Sequence, residues 1–371
     1  MRNKPIFFFT LRVFSITGGI EKVCRIASKA LYQFGEENGY SVFVKSMHDA
    51  TKDAIGNPYI PNRIFFGWKG NKWLATLGML RCGRGATVVL LSHINLLTIG
   101  YLIKRISPHT RLIMFAHGIE VWDSLSKAKV DKLKQCDAIW AVSRFTRERI
   151  ISQYGIDKEK VYVLNNALDP EWKECETKIN VRELFNIPAS AKVLFTLTRL
   201  AHTEKNKGYN KVMEALARLK TSRDIHYIIG GKYTNDEFNH ITQLATQLGL
   251  ANHVHLPGFI DEVQLKAYFS AANVFILPSR KEGFGIVFIE AMRFGTPVIA
   301  GNTDGSMDAL KDGELGILVN PESVKEISDA IEEVFDYPEK YKPDLNKVEH
   351  YFGFETYKKN VNQLLHKVLS K

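Results

Sequence analysis

Arg199 and Lys207 lie in TRLAHTEKNKGYNKVMEAL, just past an apolar run at Lys192–Leu197 that reads as a strand, and Lys207-Gly208 opens a helical pattern. Ligands of open α/β sheets collect outside the carboxyl ends of the strands, so two cations at this point suit a phosphate. Arginine offers a planar fork of donors and lysine a mobile point charge. Together they can hold a diphosphate whose charge grows as a bond to it breaks. Solvated cations at a helix start are the plainer alternative. A second segment, PSRKEGFGIVFIEAMRFGTPVIA, sets Glu282 and Glu290 around the turn Gly283-Phe284-Gly285. On one continuous helix the two acids would stand about 80° apart. The glycines favour a tight turn instead, with the helix starting after them, Glu282 on the loop and Glu290 further along the helix. The N–H groups of Phe284, Gly285 and Ile286 would then face an anion. Glu290 could accept the vicinal hydroxyls of a ribose, and Glu282 those of a sugar beyond the diphosphate. A capping or surface role remains open. So does a glycosidase acid and nucleophile pair, although that leaves the phosphate-type turn without a purpose.

The first half carries sparser signals. Gly18-Gly19 in TGGIEKVCRIASKAL follows a strand and precedes a helix, a turn through which a phosphate or sugar can approach the backbone at Gly19. It is not the Gly-x-Gly-x-x-Gly fingerprint of dinucleotide binding. His117 ends LIMFA and opens HGIEVW, where it could bind a sugar hydroxyl or charge near an anomeric carbon, or serve as an ordinary loop histidine. Asn166 in VLNNALD suits a left-handed turn. There is no Asp-x-Asp, so no catalytic metal is expected. Cys24, Cys82, Cys136 and Cys175 form no Cys-x-x-Cys and no Cys/His cluster, which indicates neither a zinc site nor a disulfide framework and fits reduced thiols in a cytosol.

The elements that must place these residues alternate along the whole chain, short apolar runs with longer helical patterns, as in a parallel α/β sheet. Strands are expected at Ile6–Leu11, Ser41–Lys45, Val88–Ser92, Leu112–Ala116, Ala138–Val142 and Val161–Leu164, then, past a polar linker at LDPEWKECETKIN, at Lys192–Leu197, His226–Ile229, Val254–Leu256, Val274–Leu277, Val298–Ala300 and Ile317–Val319. The clearest helices are Ile20–Glu37, Arg144–Tyr154, Tyr209–Leu219, Asp236–Leu248, Glu262–Ala271, Ile286–Phe294 and Val324–Phe335. This gives a domain over 1–170, a second over 171–350, and an amphipathic last helix within 351–371 that packs on a domain.

The 371 residues, 45% of them hydrophobic, can bury two cores. Residues 1–170 hold 25 Lys/Arg against 13 Asp/Glu, whereas the rest hold 25 against 27, so the excess positive charge of +10 lies in the first half. That half is expected to face something anionic, a lipid surface, a lipid-phosphate carrier, an acidic glycan or nucleic acid, unless the charge only aids solubility. Arg12 breaks the apolar N-terminal run and no cleavage site follows, so it reads as a buried strand and not as a signal peptide. No apolar stretch nears the ~20 residues of a membrane span. Phe65, Phe66, Trp68 and Trp73 interleave with Arg63, Lys69, Lys72, Arg81 and Arg84, a mixture suited to a membrane interface or to a loop followed by a core-packed helix at Trp73–Leu80.

In order along the chain, GGIEKV, HGIEVW, AVSRFTRERI, VLNNALD, TRL…KNKG, LPGFIDEVQLKAYFSAANVFILPSRKEGFGIVFIEAMRFGTPVIA and DGELGILV resemble retaining glycosyltransferase family 4. The resemblance implies two Rossmann-like, doubly wound α/β domains facing across a cleft (GT-B), a nucleotide diphosphate sugar held mostly by the second, an acceptor held mostly by the first, and a last helix that returns to the first. It assigns Arg199 and Lys207 to the diphosphate, Glu290 to the ribose, Glu282 with Gly283 and Phe284 to Ile286 to sugar and phosphate, His117 to the transferred sugar, and Gly230 and Phe259 to the base. Asn165-Asn166 stands where the family often has Asn-Gly, and Gly301-Asn302-Thr303-Asp304-Gly305 where it has a glycine pair. The expectation is a metal-independent, retaining hexosyltransferase with no cofactor beyond its sugar-nucleotide co-substrate. Its acceptor would be a glycan or lipid-linked, in cell-surface polysaccharide assembly. It would be cytoplasmic or peripheral on an anionic inner membrane face, with no nucleic-acid partner. A nucleotide-sugar epimerase and a non-catalytic anion-binding protein are the alternatives.

Overall fold

The computed structural model describes residues 4–172, 179–201, 206–219 and 223–370. Part of the linker, 173–178 with Cys175, and the segment 202–205 lie outside the described residues. The chain divides into two compact units, Met1–Glu171 with Phe352–Lys371, and Trp172–Tyr351.

The first unit is built on seven parallel strands, β1 (Pro5–Thr10), β2 (Ser41–Ser46), β3 (Phe65–Gly67), β4 (Val88–Leu91), β5 (Arg111–Ala116), β6 (Ala138–Ala141) and β7 (Val161–Val163), in the order β3-β2-β1-β4-β5-β6-β7. Ile6 and Phe8 point into one core and Phe7 and Phe9 into the other. Covering both faces of a central strand is why PIFFFT is continuously apolar instead of alternating. The edge strand β3 was not expected. It has three residues inside a mixed aromatic and cationic stretch, too short to show a period.

Helix α1 (Gly19–Asn38) follows β1 and stops at Gly39, whose φ of 70° is a left-handed cap that glycine takes without strain. The final helix, Phe354–Leu369, lays Phe354, Tyr357, Val361, Leu365 and Val368 into the same core as Ile26, Ala30 and Phe34 of α1. Each such side chain contributes about 1.5–3 kcal/mol on burial. The exposed Lys358–Glu37 pair at 3.3 Å adds about 0–1 kcal/mol, so apolar packing fixes the helix.

Helix α2 (Lys72–Gly83) departs from a core-packed reading of Trp73–Leu80. Ala75, Met79 and Gly83 are buried and Leu80 and Cys82 pack partly buried on the same core, whereas Trp73 is 83% exposed, Leu77 63% and Leu74 57%. Arg81 and Arg84 are also exposed, and at ~100° per residue they fall in the same arc as Trp73, Leu74 and Leu77. Asn166 is buried and does not adopt a positive φ, so the left-handed turn expected there does not form. Asn165 instead donates its side-chain amide to the Val142 carbonyl oxygen at 2.9 Å.

In the second unit six parallel strands, β8 (Lys192–Leu197), β9 (Ile225–Gly230), β10 (Val254–Gly258), β11 (Val274–Leu277), β12 (Val298–Gly301) and β13 (Ile317–Val319), run in the order β10-β9-β8-β11-β12-β13. Strand order therefore reverses between β8 and β11. No helix among the described residues is long and apolar enough to cross a membrane.

Candidate functional site

The loops that leave β8 and β11 meet where strand order reverses, the place at which a doubly wound sheet leaves a crevice. Asn206 ties them, its carbonyl oxygen accepting from the Arg280 N–H at 2.9 Å and from the Ser279 hydroxyl at 3.3 Å. Gly208, at φ 80°, begins the Tyr209–Arg218 helix, and a Cβ there would lie 2.2 Å from the Pro278 carbonyl oxygen. Only glycine allows this approach. Lys207 is thereby buried, with Nζ donating to Glu282 Oε2 at 2.9 Å and lying 3.5 Å from the Lys281 carbonyl oxygen. A buried ammonium needs such partners, because an unpaired one would lose its charge.

The Glu282 loop is held from the next strand as well. Asp304, fully buried after β12, accepts the Glu282 N–H at 2.7 Å on one carboxylate oxygen and the Ser306 N–H at 2.9 Å on the other. The Gly305 N–H donates to the Glu282 carbonyl oxygen at 2.9 Å, and a Cβ on Gly305 would stand 2.0 Å from the Gly283 carbonyl oxygen. Gly285, at φ 79°, starts the Ile286–Arg293 helix, which has no side-chain cap and no acid in its first turn. Its amino end offers N–H groups and the positive end of a dipole.

The other expected residues take varied positions. Arg199 is exposed just beyond β8, where the Thr198 N–H donates to the Gly230 carbonyl oxygen at 3.0 Å. Gly230 is buried, and a Cβ on it would meet Ile260 at 2.4 Å, so its missing side chain makes room for the core and only its backbone could face a ligand. Phe259, after Gly258 at φ 79°, is 60% exposed and has a ring face to offer. Phe284 is 1% exposed, so its ring belongs to the core. Glu290 is also buried, within the helix.

In the first unit His117 leaves β5 with Nε2 2.7 Å from the Ser92 carbonyl oxygen, so that nitrogen donates and Nδ1 is left as the acceptor. The His117 N–H donates to Glu120 Oε1 at 2.5 Å. Gly19 begins α1, and a Cβ there would meet nothing within 4 Å. The loop leading to it is pinned by Asp49, whose buried carboxylate accepts the Val13 N–H at 2.7 Å, the Ser15 N–H at 2.9 Å and the Ser46 hydroxyl at 2.6 Å.

The sequence profile of Glycosyltransferase Family 4 matches residues 17–172, and that of Glycosyl transferases group 1 matches residues 178–346. The chain belongs to the GT-B glycosyltransferases of family 4 type. An uncharacterized glycosyltransferase of Methanocaldococcus jannaschii is 29% identical over 206 residues, 54% of this chain and 51% of that protein. The GDP-mannose-dependent alpha-(1-6)-phosphatidylinositol monomannoside mannosyltransferase of Mycobacterium tuberculosis is 28% identical over 246 residues, 62% of each chain. The chain thus spans 51% and 62% of the lengths of these curated relatives. Anabaena HepE, solved with UDP and glucose, shares the fold at a TM-score of 0.78 and 19% identity, with 98% of this chain and 100% of that one covered.

Two residues that shape the loops of this chain escaped the sequence reading, Asp49 and Asp304. Both act by accepting backbone N–H groups, a role that leaves no periodic trace in sequence. Burial pushes the Asp304 carboxyl up to about 7 from 3.8, against hydrogen bonds from Ser306 and with the Glu282 charge adding to the rise. A carboxyl raised on folding stabilises the fold fully below its unfolded pKa, and that contribution is lost as pH rises through the folded one. The stability of wild type relative to Asp304→Asn should therefore fall between about pH 4 and pH 7. Urea midpoints of the two proteins across this window test it, and a difference that stays flat would contradict the assignment.

Proposed function

We propose that this glycosyltransferase moves a hexosyl unit from a nucleotide diphosphate sugar to a lipid-linked or glycan acceptor with retention of anomeric configuration. The observation that carries the reading is Lys207, held beside Glu282 and the uncapped Ile286–Arg293 helix at the strand-order reversal. An ammonium is a donor on every side, and a diphosphate oxygen arriving beside Glu282 would meet the Lys207 charge at contact. Arg199 and the N–H groups of Gly285 and Ile286 take the remaining oxygens, Glu290 the ribose and Phe259 with the Gly230 backbone the base. Glu282 addresses the sugar, and the role of His117 as a sugar ligand rests on the family resemblance alone.

As the bond from the anomeric carbon to the diphosphate breaks, negative charge gathers on the leaving oxygens, where these cations and dipoles are fixed in advance. The acceptor hydroxyl attacks from the same face, its oxygen bonds to the anomeric carbon, and its proton passes to the departing diphosphate. Positioning and electrostatics supply the acceleration, with no enzymic nucleophile and no metal in the step.

The outward arc of α2 favours a lipid-linked acceptor. Trp73, Leu74 and Leu77 share the outward arc of α2 with Arg81 and Arg84, and Phe66 on β3, at 41% exposure, with Lys69 and Lys72 is exposed in the segment that leads into the helix. Apolar side chains and cations on one helix face complement an anionic bilayer surface, the rings entering the headgroup layer and the cations meeting lipid charge. We assign this face to the cytoplasmic leaflet of a cell membrane, in surface polysaccharide or glycolipid assembly. The phosphatidylinositol monomannoside named for the mycobacterial relative is an acceptor of that class.

Three measurements bear on these assignments. Lys207→Ala should lower kcat on the order of 100-fold or more, and Glu290→Gln should weaken donor binding about 10–100-fold, as expected for lost hydrogen bonds to a charged group. With circular dichroism unchanged, near-wild-type kinetics in both would remove the donor site. Turnover at 25 °C should survive chelation by EDTA; loss restored by magnesium or manganese would defeat the electrostatic account. Co-sedimentation with vesicles should require anionic lipid, weaken as salt rises, and drop in Trp73→Ser and in a Lys72/Arg81/Arg84 charge-neutralised variant. Equal recovery in the supernatant with anionic and neutral vesicles would point to a soluble acceptor.

A further inference from the structure

At the opposite end of the second unit's sheet, where β9 and β10 begin, four side chains share one face. Asp224 and His226 alternate into β9, His253 and His255 into β10. Parallel register places Val254 beside Tyr227, and so His253 beside His226. Asp224 Oδ1 lies 3.3 Å from His226 Nε2 and also 3.3 Å from His253 Nε2, and the ligating atoms of all three residues lie within 4.8 Å of one another.

That spacing is informative. A tetrahedral zinc-class ion with bonds of ~2.0 Å sets its ligand atoms ~3.3 Å apart. Without an ion, Asp224 accepts a hydrogen bond from His226 across the same gap, and the ion would take that proton's place. Behind His226, its Nδ1 stands 2.9 Å from His255 Nε2. A hydrogen on Nδ1 donated to His255 leaves the Nε2 lone pair aimed at the side of Asp224 and His253, the kind of outer hydrogen bond that fixes a metal-binding tautomer. The Phe185 ring packs on His255 with centroids 5.0 Å apart and holds that outer partner in place. The backbone anchors the rest. The Lys192 N–H donates to the Asp224 carbonyl oxygen at 2.8 Å, and the Tyr227 N–H to that of His253 at 2.7 Å. Arg182, whose charge reaches His226, is committed to the carbonyl oxygens of Pro188 and Ala191 at 2.9 and 3.1 Å. Asp224 and His253 are about two-fifths exposed, which gives an ion a way in, and His226 is buried.

We propose that Asp224, His226 and His253 form a binding site for a zinc-class divalent ion, with His255 as the outer partner of His226 and a water in the fourth position. Two imidazoles and a carboxylate suit zinc, cobalt or nickel better than magnesium or calcium, which take oxygen ligands. The ion would clip edge strand β10, whose pairing with β9 is irregular between His255 and Gly258, to its neighbour. The donor groups sit at the carboxyl ends of the same strands, ~13 Å along β9 from His226 to Gly230, so the ion would be structural and outside the transfer step.

The test uses the full chain stripped with chelator and titrated with zinc chloride by calorimetry and with cobalt chloride by visible absorption. Wild type should bind one zinc per chain, show the absorption of tetrahedral cobalt, and melt at a higher temperature with zinc present. His253→Ala and Asp224→Asn, both on partly exposed side chains and checked by circular dichroism, should each lower zinc affinity at least about tenfold, abolish the cobalt band and lose the thermal shift. Unchanged binding in both variants, or no saturable binding in wild type, would overturn the site. Neither result bears on sugar transfer, which is read in the presence of chelator.

Discussion

Every strand of a parallel sheet ends at the same edge, and where strand order reverses the two flanking connections depart in opposite directions and leave that edge open. In the second unit this constraint decides what can meet. Arg199 and Lys207 leave β8, Glu282 leaves β11, Asp304 leaves β12, and their sequence separations do not matter once the three strands lie side by side. The Lys207–Glu282 ion pair is the joint of the assembly. It spans the reversal, holds a cation in a half-dry place, and depends on backbone contacts that exclude side chains at Gly208 and Gly305. An anion arriving there meets a charge already desolvated and oriented, which is worth more than the same charge on a mobile surface lysine.

Much of this was legible because its causes are local. Apolar runs such as PIFFFT and VFIL announce strands buried on two faces, and the Ile286–Arg293 helix starts where the glycines of EGFG require. Glycine positions and charged residues just past a strand can be found by reading. What resists reading is the use of a residue after folding. Phe284 sits in the EGFG motif and Gly230 closes β9, yet the ring of one and the vacant Cβ position of the other serve the core. Asp49 lies in an unremarkable loop and Asp304 in one that reads only as a departure from a glycine pair, and the fold reveals that they collect N–H groups from segments 34 and 22 residues away.

Helix α2 shows the same limit from another side. Ala75, Met79 and Gly83 are small or flexible and form the buried part of its inner side, helped by Leu80 and Cys82, and Gly83 lets Ile103 come within 2.4 Å of where a Cβ would stand. The larger residues, Trp73, Leu74 and Leu77, are then left on the outside. Hydrophobicity alone cannot assign the buried side of such a helix, since a small-residue face packs more closely than a bulky one. An outward tryptophan beside two arginines is costly to leave in water and suits an interface where ring and charge are both satisfied.

The charge partition can be understood on the same scale. Residues 171–371 carry 25 Lys/Arg against 27 Asp/Glu, yet they hold the cations proposed for a diphosphate. Net charge acts over distances that salt screens beyond about 8–10 Å, whereas Lys207 and the helix dipole would act at contact and partly out of water. The two tasks therefore separate. A mildly acidic unit can bind an anionic nucleotide through a few fixed donors, while attraction to an extended anionic surface needs a large excess of cations, such as the 25 Lys/Arg against 13 Asp/Glu of the first 170 residues, of which Lys22 and Arg25 are buried.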